Sequence, residues 1–265
     1  MIGKIIRSLR LGCLALLGVA LLSTSAARAE ELVKFAPVPS GAAGPSIQGY
    51  LSKPKGKGPF PAVVVLHSCL GPRADRGAMA RMLTGWGYVA LFVDDFATRG
   101  LKDTCAVDFP EGLADAFGGL AFVSTLPDVD TARIAALGYS QGADTALKVA
   151  VAGGAAATSG PRFKAAAAFY PPCQNEAGAR LRLPTMILIG AADSVTPAAQ
   201  CAALVHQQSG GDVRMMVYRG AGHVFDDPQF TGGKRLLGMW LEFDADAAAQ
   251  SRKALHDFLA TELGR

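Results

Sequence analysis

Three residues in this chain have the types and placement for nucleophilic chemistry. Ser140 lies in Gly138-Tyr139-Ser140-Gln141-Gly142, where the apolar run RIAALGY meets an alanine-rich stretch of helical pattern. That is G-x-S-x-G in the strand–turn–helix setting that lifts a serine hydroxyl above a sheet. The flanking glycines let neighbouring backbone crowd the serine without a Cβ clash. A serine at such a junction also suits a helix N-cap, so the pattern alone leaves two readings open. A nucleophilic serine needs a base, and the base needs an orienting group. Of the four histidines, His206 and His256 fall inside helical patterns and read as surface residues, His67 ends an apolar run, and His223 sits in a glycine-flanked loop just past VRMMVY. Asp193 lies between Ser140 and His223 in the chain, just past TMILIG. Each member of the trio follows its own apolar run, which favours a triad over a cap. Asp226 and Asp227 are rivals for the acid, but they stand too near His223 along the chain to reach its far nitrogen easily. In the triad Ser140 attacks an acyl carbon, His223 takes and returns the proton, and Asp193 holds the imidazole tautomer. The oxyanion needs two backbone donors. Gln141 N–H supplies one, and the loop HSCLG supplies the other, from Cys69 with Leu70 as second choice.

The elements that must place these residues are legible as a rhythm. ELVKFAPVPS and PSIQGYLSKP read as an opening pair of strands. Strand-like runs follow at 62–67, 88–95, 133–139, 165–171, 185–191 and 213–218, with helical patterns near 74–86, 111–126, 141–152, 197–208 and 245–263. Runs that are apolar throughout are buried on both faces, which requires helices on both sides of a mostly parallel sheet. Only a short segment separates AAAAFYP from TMILIGA, so no large lid domain fits there. Ligands of such sheets collect at the carboxyl ends of the strands. The nearby loop residues Phe96, Tyr139, Pro171, Pro172 and Phe225 are expected to line an apolar pocket.

The chain has 265 residues, 50% hydrophobic and 18% charged, enough for one large domain. Lys4, Arg7 and Arg10, then LGCLALLGVALL, then Ala27-Arg28-Ala29 read as a signal peptide over residues 1–29, leaving one domain over 30–265. The apolar core is short for a membrane span of about 20 residues. The expected location is periplasmic or secreted, with no membrane association after cleavage. The leader carries four basic residues and no acid, so the formal charge of +4 falls to zero on its removal. A neutral protein lacks the basic footprint of a nucleic-acid binder. Cys69, Cys105, Cys173 and Cys201 remain, an even number that suggests two disulfides in an exported protein. No metal-binding spacing such as C-x-x-C or H-E-x-x-H occurs, and no cofactor is called for.

The stretches PAVVVLHSCLGP, WGYVALFVDDFATRG, ARIAALGYSQGADTAL, AAFYPPC, PTMILIGAADSVTPAAQC and VYRGAGHVFD resemble the dienelactone hydrolase family of the α/β-hydrolase fold. The resemblance covers nearly all of residues 45–263. It implies a mostly parallel sheet flanked by helices, no metal, and a small-molecule ester or lactone as substrate. It also implies the pairings Cys69–Cys105 and Cys173–Cys201, each joining loops that follow neighbouring strands. Two positions depart from the family pattern: its founding members carry cysteine where Ser140 stands, and glutamate where Ser68 stands. Arg99 lies near the position where those enzymes hold a substrate carboxylate, so substrate binding is one role for it; fixing its own loop is the other. The reading is a secreted serine hydrolase. Its alternatives are a peptidase-like α/β-hydrolase and a binding protein that has kept the fold.

Overall fold

Phe60–Leu66 (β3) is buried along its whole length, and so are Val89–Asp94 (β4), Ala165–Phe169 (β6) and Thr185–Gly190 (β7). Side chains alternate across a strand, so each such strand feeds two cores. Val63 and Val65 face one core, with Leu83 of α1 (Arg76–Gly85) and Leu255, Phe258 and Leu259 of α5 (Ala245–Leu263). Ala62, Val64 and Leu66 face the other, with Leu120 and Val123 of α2 (Gly112–Ser124). This computed structural model describes residues 1–2, 30–38, 46–107, 109, 111–209 and 212–264. The expected leader therefore lies outside the described residues, save for its first two.

Glu31–Phe35 (β1) and Ile47–Ser52 (β2) form the antiparallel edge, and β2 pairs antiparallel with β4. Val129–Tyr139 (β5) and Val213–Tyr218 (β8) complete an eight-stranded sheet in the order β1-β2-β4-β3-β5-β6-β7-β8, parallel from β4 to β8. The chain steps from β3 outward to β4, then returns past β3 to lay down β5. That reversal opens a crevice at the carboxyl ends of β3 and β5, where open α/β sheets bind ligands. Gln141–Val151 (α3) leaves β5 there, and Ala198–His206 (α4) follows β7.

One element was not expected from the sequence. Lys234–Leu236 (β9) and Met239–Leu241 (β10) form a small hairpin after β8, and His223 bridges to Leu241. Its strands are three residues each, too short for an alternating pattern to stand out. Among the described residues no helix is long and apolar enough to cross a membrane.

Candidate active site

Tyr139 ends β5 and Gln141 begins α3, so Ser140 alone must reverse the chain. It does so at φ 52°, ψ −112°, a backbone conformation that a non-glycine residue adopts at a cost of roughly 1–3 kcal/mol. The Ser140 amide donates to the Phe169 carbonyl (3.0 Å), and the Ser140 carbonyl accepts from the amides of Ala143 and Asp144. The strained turn is thus held from the sheet and from the helix. The glycines are required by space: a Cβ on Gly138 would overlap the Gly142 carbonyl, and one on Gly142 would overlap the Leu66 and His67 carbonyls. The Ser140 side chain makes no capping hydrogen bond, so the helix-cap reading has no bond to rest on.

His223 Nε2 lies 3.0 Å from Ser140 Oγ, and its Nδ1 lies 2.8 Å from Asp193 Oδ2. Both His223 and Asp193 are about 5% exposed or less. Asp193 is fixed by the turn after β7. Its Oδ1 accepts from the amides of Val195 (2.9 Å) and Thr196 (2.8 Å), and its Oδ2 accepts from Thr196 Oγ1 (2.9 Å). Thr196 Oγ1 also lies 3.2 Å from the Tyr170 carbonyl. The close approach of the acid and histidine loops requires Gly190, where a Cβ would overlap the Ala221 carbonyl. The two rivals are engaged elsewhere. Asp226 accepts from Arg73 (2.6 Å) and from the Tyr170 hydroxyl (2.8 Å), while Asp227 accepts from the Gln229 amide (3.1 Å). Arg73 is buried, which disfavours its charge, but Asp226 and its other neighbours hold the guanidinium well above its ordinary value. Burial and Asp226 together push the Tyr170 phenol up, so it stays a hydrogen-bond donor.

The loop after β3 faces Ser140 from across the crevice. Leu70 N–H donates to Ser68 Oγ (3.2 Å), which occupies the second candidate for the oxyanion and leaves Cys69 as the better of the two. Cys69 bonds to Cys105, and its carbonyl accepts from Thr104 N–H (2.9 Å). Thr104 Oγ1 in turn donates to Gln141 Oε1 (2.8 Å), so one segment ties together the two residues expected to supply the oxyanion donors. The second disulfide, Cys173–Cys201, pins the turn after β6 to α4. Both pairings are those expected.

Ser140 and His223 open onto a cleft of about 490 Å³ that Cys69, Cys105 and Gln141 also line. Five residues expected at this cleft are elsewhere. Arg99 makes a two-pronged ion pair with Asp115 (2.8 and 2.9 Å) and donates to the Asp95 carbonyl (2.8 Å), so it fixes its own loop and does not line the cleft. Burial is the first cause of the rise of Asp115 to about 6, against the pull of Arg99. Tyr139 points under the elbow, stacking near Phe169 and beneath Arg73, beside a separate cavity of about 170 Å³ between α1 and α5. It does so because it is the last residue of β5, and residue alternation sends it to the side opposite the cleft. Phe225 is fully buried among Phe169, Tyr170 and Tyr218, one position past the turn at Val224 (φ 56°). Phe96 is likewise buried against His67, and Pro171 is buried, whereas Pro172 does line the cleft. The sequence reading missed Thr196, Asp144, Lys148, Asn175, Met239 and Leu241. The Asp193-Ser194-Val195-Thr196 spacing was a usable signal, because Asp and Thr side chains bond backbone two or three residues away. Among the described residues no group of three or more His, Cys, Asp or Glu side chains is placed to hold a metal.

Comparison with known proteins agrees with this architecture. Two uncharacterised proteins of Mycobacterium tuberculosis, from strains CDC 1551 / Oshkosh and ATCC 25618 / H37Rv, are each 31% identical over 208 residues, 72% of this chain and 72% of theirs. A dienelactone hydrolase-like promiscuous phosphotriesterase from metagenomic libraries superposes with TM-score 0.69 at 23% identity, covering 89% of this chain and 100% of that one. The Pyrococcus horikoshii acylaminoacyl peptidase superposes with TM-score 0.59 at 15% identity, over 91% of this chain but 43% of the peptidase. At these identities the two structures show the shared fold alone. The dienelactone hydrolase family model matches residues 47–263, so this chain belongs to the dienelactone hydrolase family and is a hydrolase of the α/β-hydrolase fold.

Proposed function

We propose that this protein hydrolyses a carboxylic ester or lactone through an acyl-enzyme on Ser140. The observation that carries the reading is the unbroken line Ser140 Oγ–His223 Nε2 (3.0 Å), His223 Nδ1–Asp193 Oδ2 (2.8 Å), opening onto the cleft. His223 Nε2 accepts the Ser140 proton as Oγ attacks the acyl carbon. The carbonyl π electrons move to oxygen, and the N–H groups of Cys69 and Gln141 receive the oxyanion. Collapse expels the alcohol, which takes the proton from His223. A water then repeats the sequence, with His223 as its base, and releases the acid and free Ser140. Asp193 keeps the proton on Nδ1 and stabilises the imidazolium without being protonated itself.

Residues 1–29 serve as the export signal in this reading, and the remainder works as one hydrolase domain in a periplasmic or extracellular setting. The two disulfides are consistent with that location. Cysteine at the elbow is replaced by Ser140, and Ser68 takes the place of the family's glutamate, so the nucleophile is activated by His223 alone. An active-site-directed fluorophosphonate will label the purified protein at one site, and Ser140→Ala will abolish labelling. Folded wild-type protein that fails to label would end the proposal. A series of p-nitrophenyl esters graded by acyl length, run beside small lactones, will then rank the substrates.

A further inference from the structure

The wall of the cleft that runs away from Ser140 along α3 is polar. Ser140, Asp144 and Lys148 are spaced four apart, so they lie on one face of the helix, each about 6 Å beyond the last. Asp144 Oδ2 accepts from Lys148 Nζ (2.8 Å), and Asp144 Oδ1 accepts from Asn175 Nδ2 (3.0 Å). Asn175 and Gln174 are exposed residues of the short 3-10 turn Cys173–Glu176, which the Cys173–Cys201 disulfide anchors. Asp144, Lys148, Gln174 and Asn175 all line the cleft. Around His223 the lining is apolar instead, with Val195, Val224, Met239 and Leu241.

On the reading that Ser140 is the nucleophile, we propose that the substrate is an ester with one neutral hydroxylated arm, of glycerol to monosaccharide size, seated against Asp144, Lys148, Gln174 and Asn175. The donor and acceptor inventory fits hydroxyls. An ammonium has three donors, and Lys148 spends one on Asp144; a carboxylate has about four acceptor positions, and Asp144 uses two. A hydroxyl can donate to Asp144 and accept from Lys148 at once. An apolar arm would strip water from these groups and give nothing back, a loss that disfavours binding.

The charges disfavour an anionic arm. Lys148 is the one cation among the described residues lining the cleft, and Asp144 already neutralises it. Asp144 is also one helical turn nearer to Ser140 than Lys148 is. Glu176 lies close enough behind them that, after its own burial, Asp144 is the next cause raising its carboxyl. A carboxylate extending from the scissile bond would meet Asp144 before it met the ammonium. Arg99, the residue that could have received it, is held by Asp115.

Three butyrate esters of similar size test this: 1-glyceryl, n-propyl and 2-carboxyethyl. The wild-type protein should hydrolyse the glyceryl ester with kcat/KM at least about tenfold above the propyl ester, and higher still above the carboxyethyl ester, as one or two added hydrogen bonds allow. The double variant Gln174→Leu/Asn175→Leu and, separately, Lys148→Met should each shrink the glyceryl-to-propyl ratio to within about threefold. Fluorophosphonate labelling of Ser140 in every variant reports that the nucleophile is intact. Wild-type protein that labels yet prefers the propyl or carboxyethyl ester overturns this inference and leaves the serine hydrolase standing. A ratio unmoved in both variants overturns it too. Absence of labelling in the wild type removes both.

Discussion

Two histidine–aspartate pairs sit at the carboxyl end of this sheet, and only one of them reaches a serine hydroxyl. His223 spends Nδ1 on Asp193 and directs Nε2 at Ser140 Oγ in an open cleft. His67 has no nitrogen left over. Its Nε2 lies 2.7 Å from Asp95 Oδ1, although neither atom makes a hydrogen bond of ordinary geometry, and its Nδ1 lies 2.7 Å from the Ser68 carbonyl. Phe96 closes off the ring edge-on at 4.4 Å. A histidine beside a carboxylate is therefore no mark of a catalytic base. The mark is the second nitrogen, free of backbone and aimed at a hydroxyl. The acids differ as well: Asp193 is oriented by three donors from Val195 and Thr196, which fix where the imidazole must lie.

Replacing each acid in turn breaks the comparison most sharply. Asp193→Asn should lower kcat by about 10⁴-fold, because the amide cannot hold the Nδ1–H tautomer and His223 can then no longer serve as the proposed base. Asp95→Asn should lower kcat by less than about tenfold, because His67 touches neither Ser140 nor the cleft. Steady-state kinetics on a p-nitrophenyl ester decides it, and comparable losses in the two variants would mean that the His67 pair takes part in the chemistry. A smaller effect is expected one step out from Asp193. Thr196→Val removes the hydroxyl that donates to Asp193 Oδ2 but keeps the backbone amide bond. Loss of one hydrogen bond to a charged group is worth about 1.5–3 kcal/mol, so kcat should fall by roughly tenfold or somewhat more with KM little changed. Unchanged kcat would show that the two amides alone orient the acid.

The same contrast explains what the sequence could and could not reveal. β3, β4, β6 and β7 were legible because each is buried on both faces and therefore reads as a continuous apolar run. Ser140 and Asp193 were legible because each comes at or just past the end of such a run, and His223 because it lies in a glycine-flanked loop past the partly exposed edge strand β8. What failed was orientation. Tyr139, one residue from Ser140, was expected in the cleft, yet strand alternation at the end of β5 sends its ring to the α1–α5 side. Phe225 sits two residues past His223, but the positive φ of Val224 turns it into the core. A motif fixes where a residue lies along the chain; the side it faces is set by pairing register and by turns whose φ the residue types do not announce. Asp144, Lys148 and Asn175 were missed for another reason. The four-residue spacing of Asp144 and Lys148 is present in the sequence, but the Asp144–Asn175 bond joins α3 to a turn beyond the next strand, and spacing along the sequence carries no trace of that.

The smallest expected effect concerns the stability of the enclosed pair. Burial alone would depress the His67 imidazolium, but the Asp95 carboxylate, the Ser68 carbonyl and Asp94 outweigh it and raise its pKa above 6.5. Both ring nitrogens face acceptors, which only the doubly protonated ring can serve. A histidine whose pKa is higher folded than unfolded contributes stability that is full below about 6.5 and is lost as pH rises through the folded value. His67→Gln removes this term. The stability gap between wild type and variant should therefore be wider at pH 6 than at pH 9, by about 1.4 kcal/mol for each unit by which the folded value exceeds the unfolded one. Asp115, raised to about 6 beside Arg99, titrates in both proteins and so cancels from the difference. Urea unfolding at the two pH values measures the gap. A gap that stays constant would mean His67 is neutral throughout, despite the two acceptors 2.7 Å from its ring nitrogens.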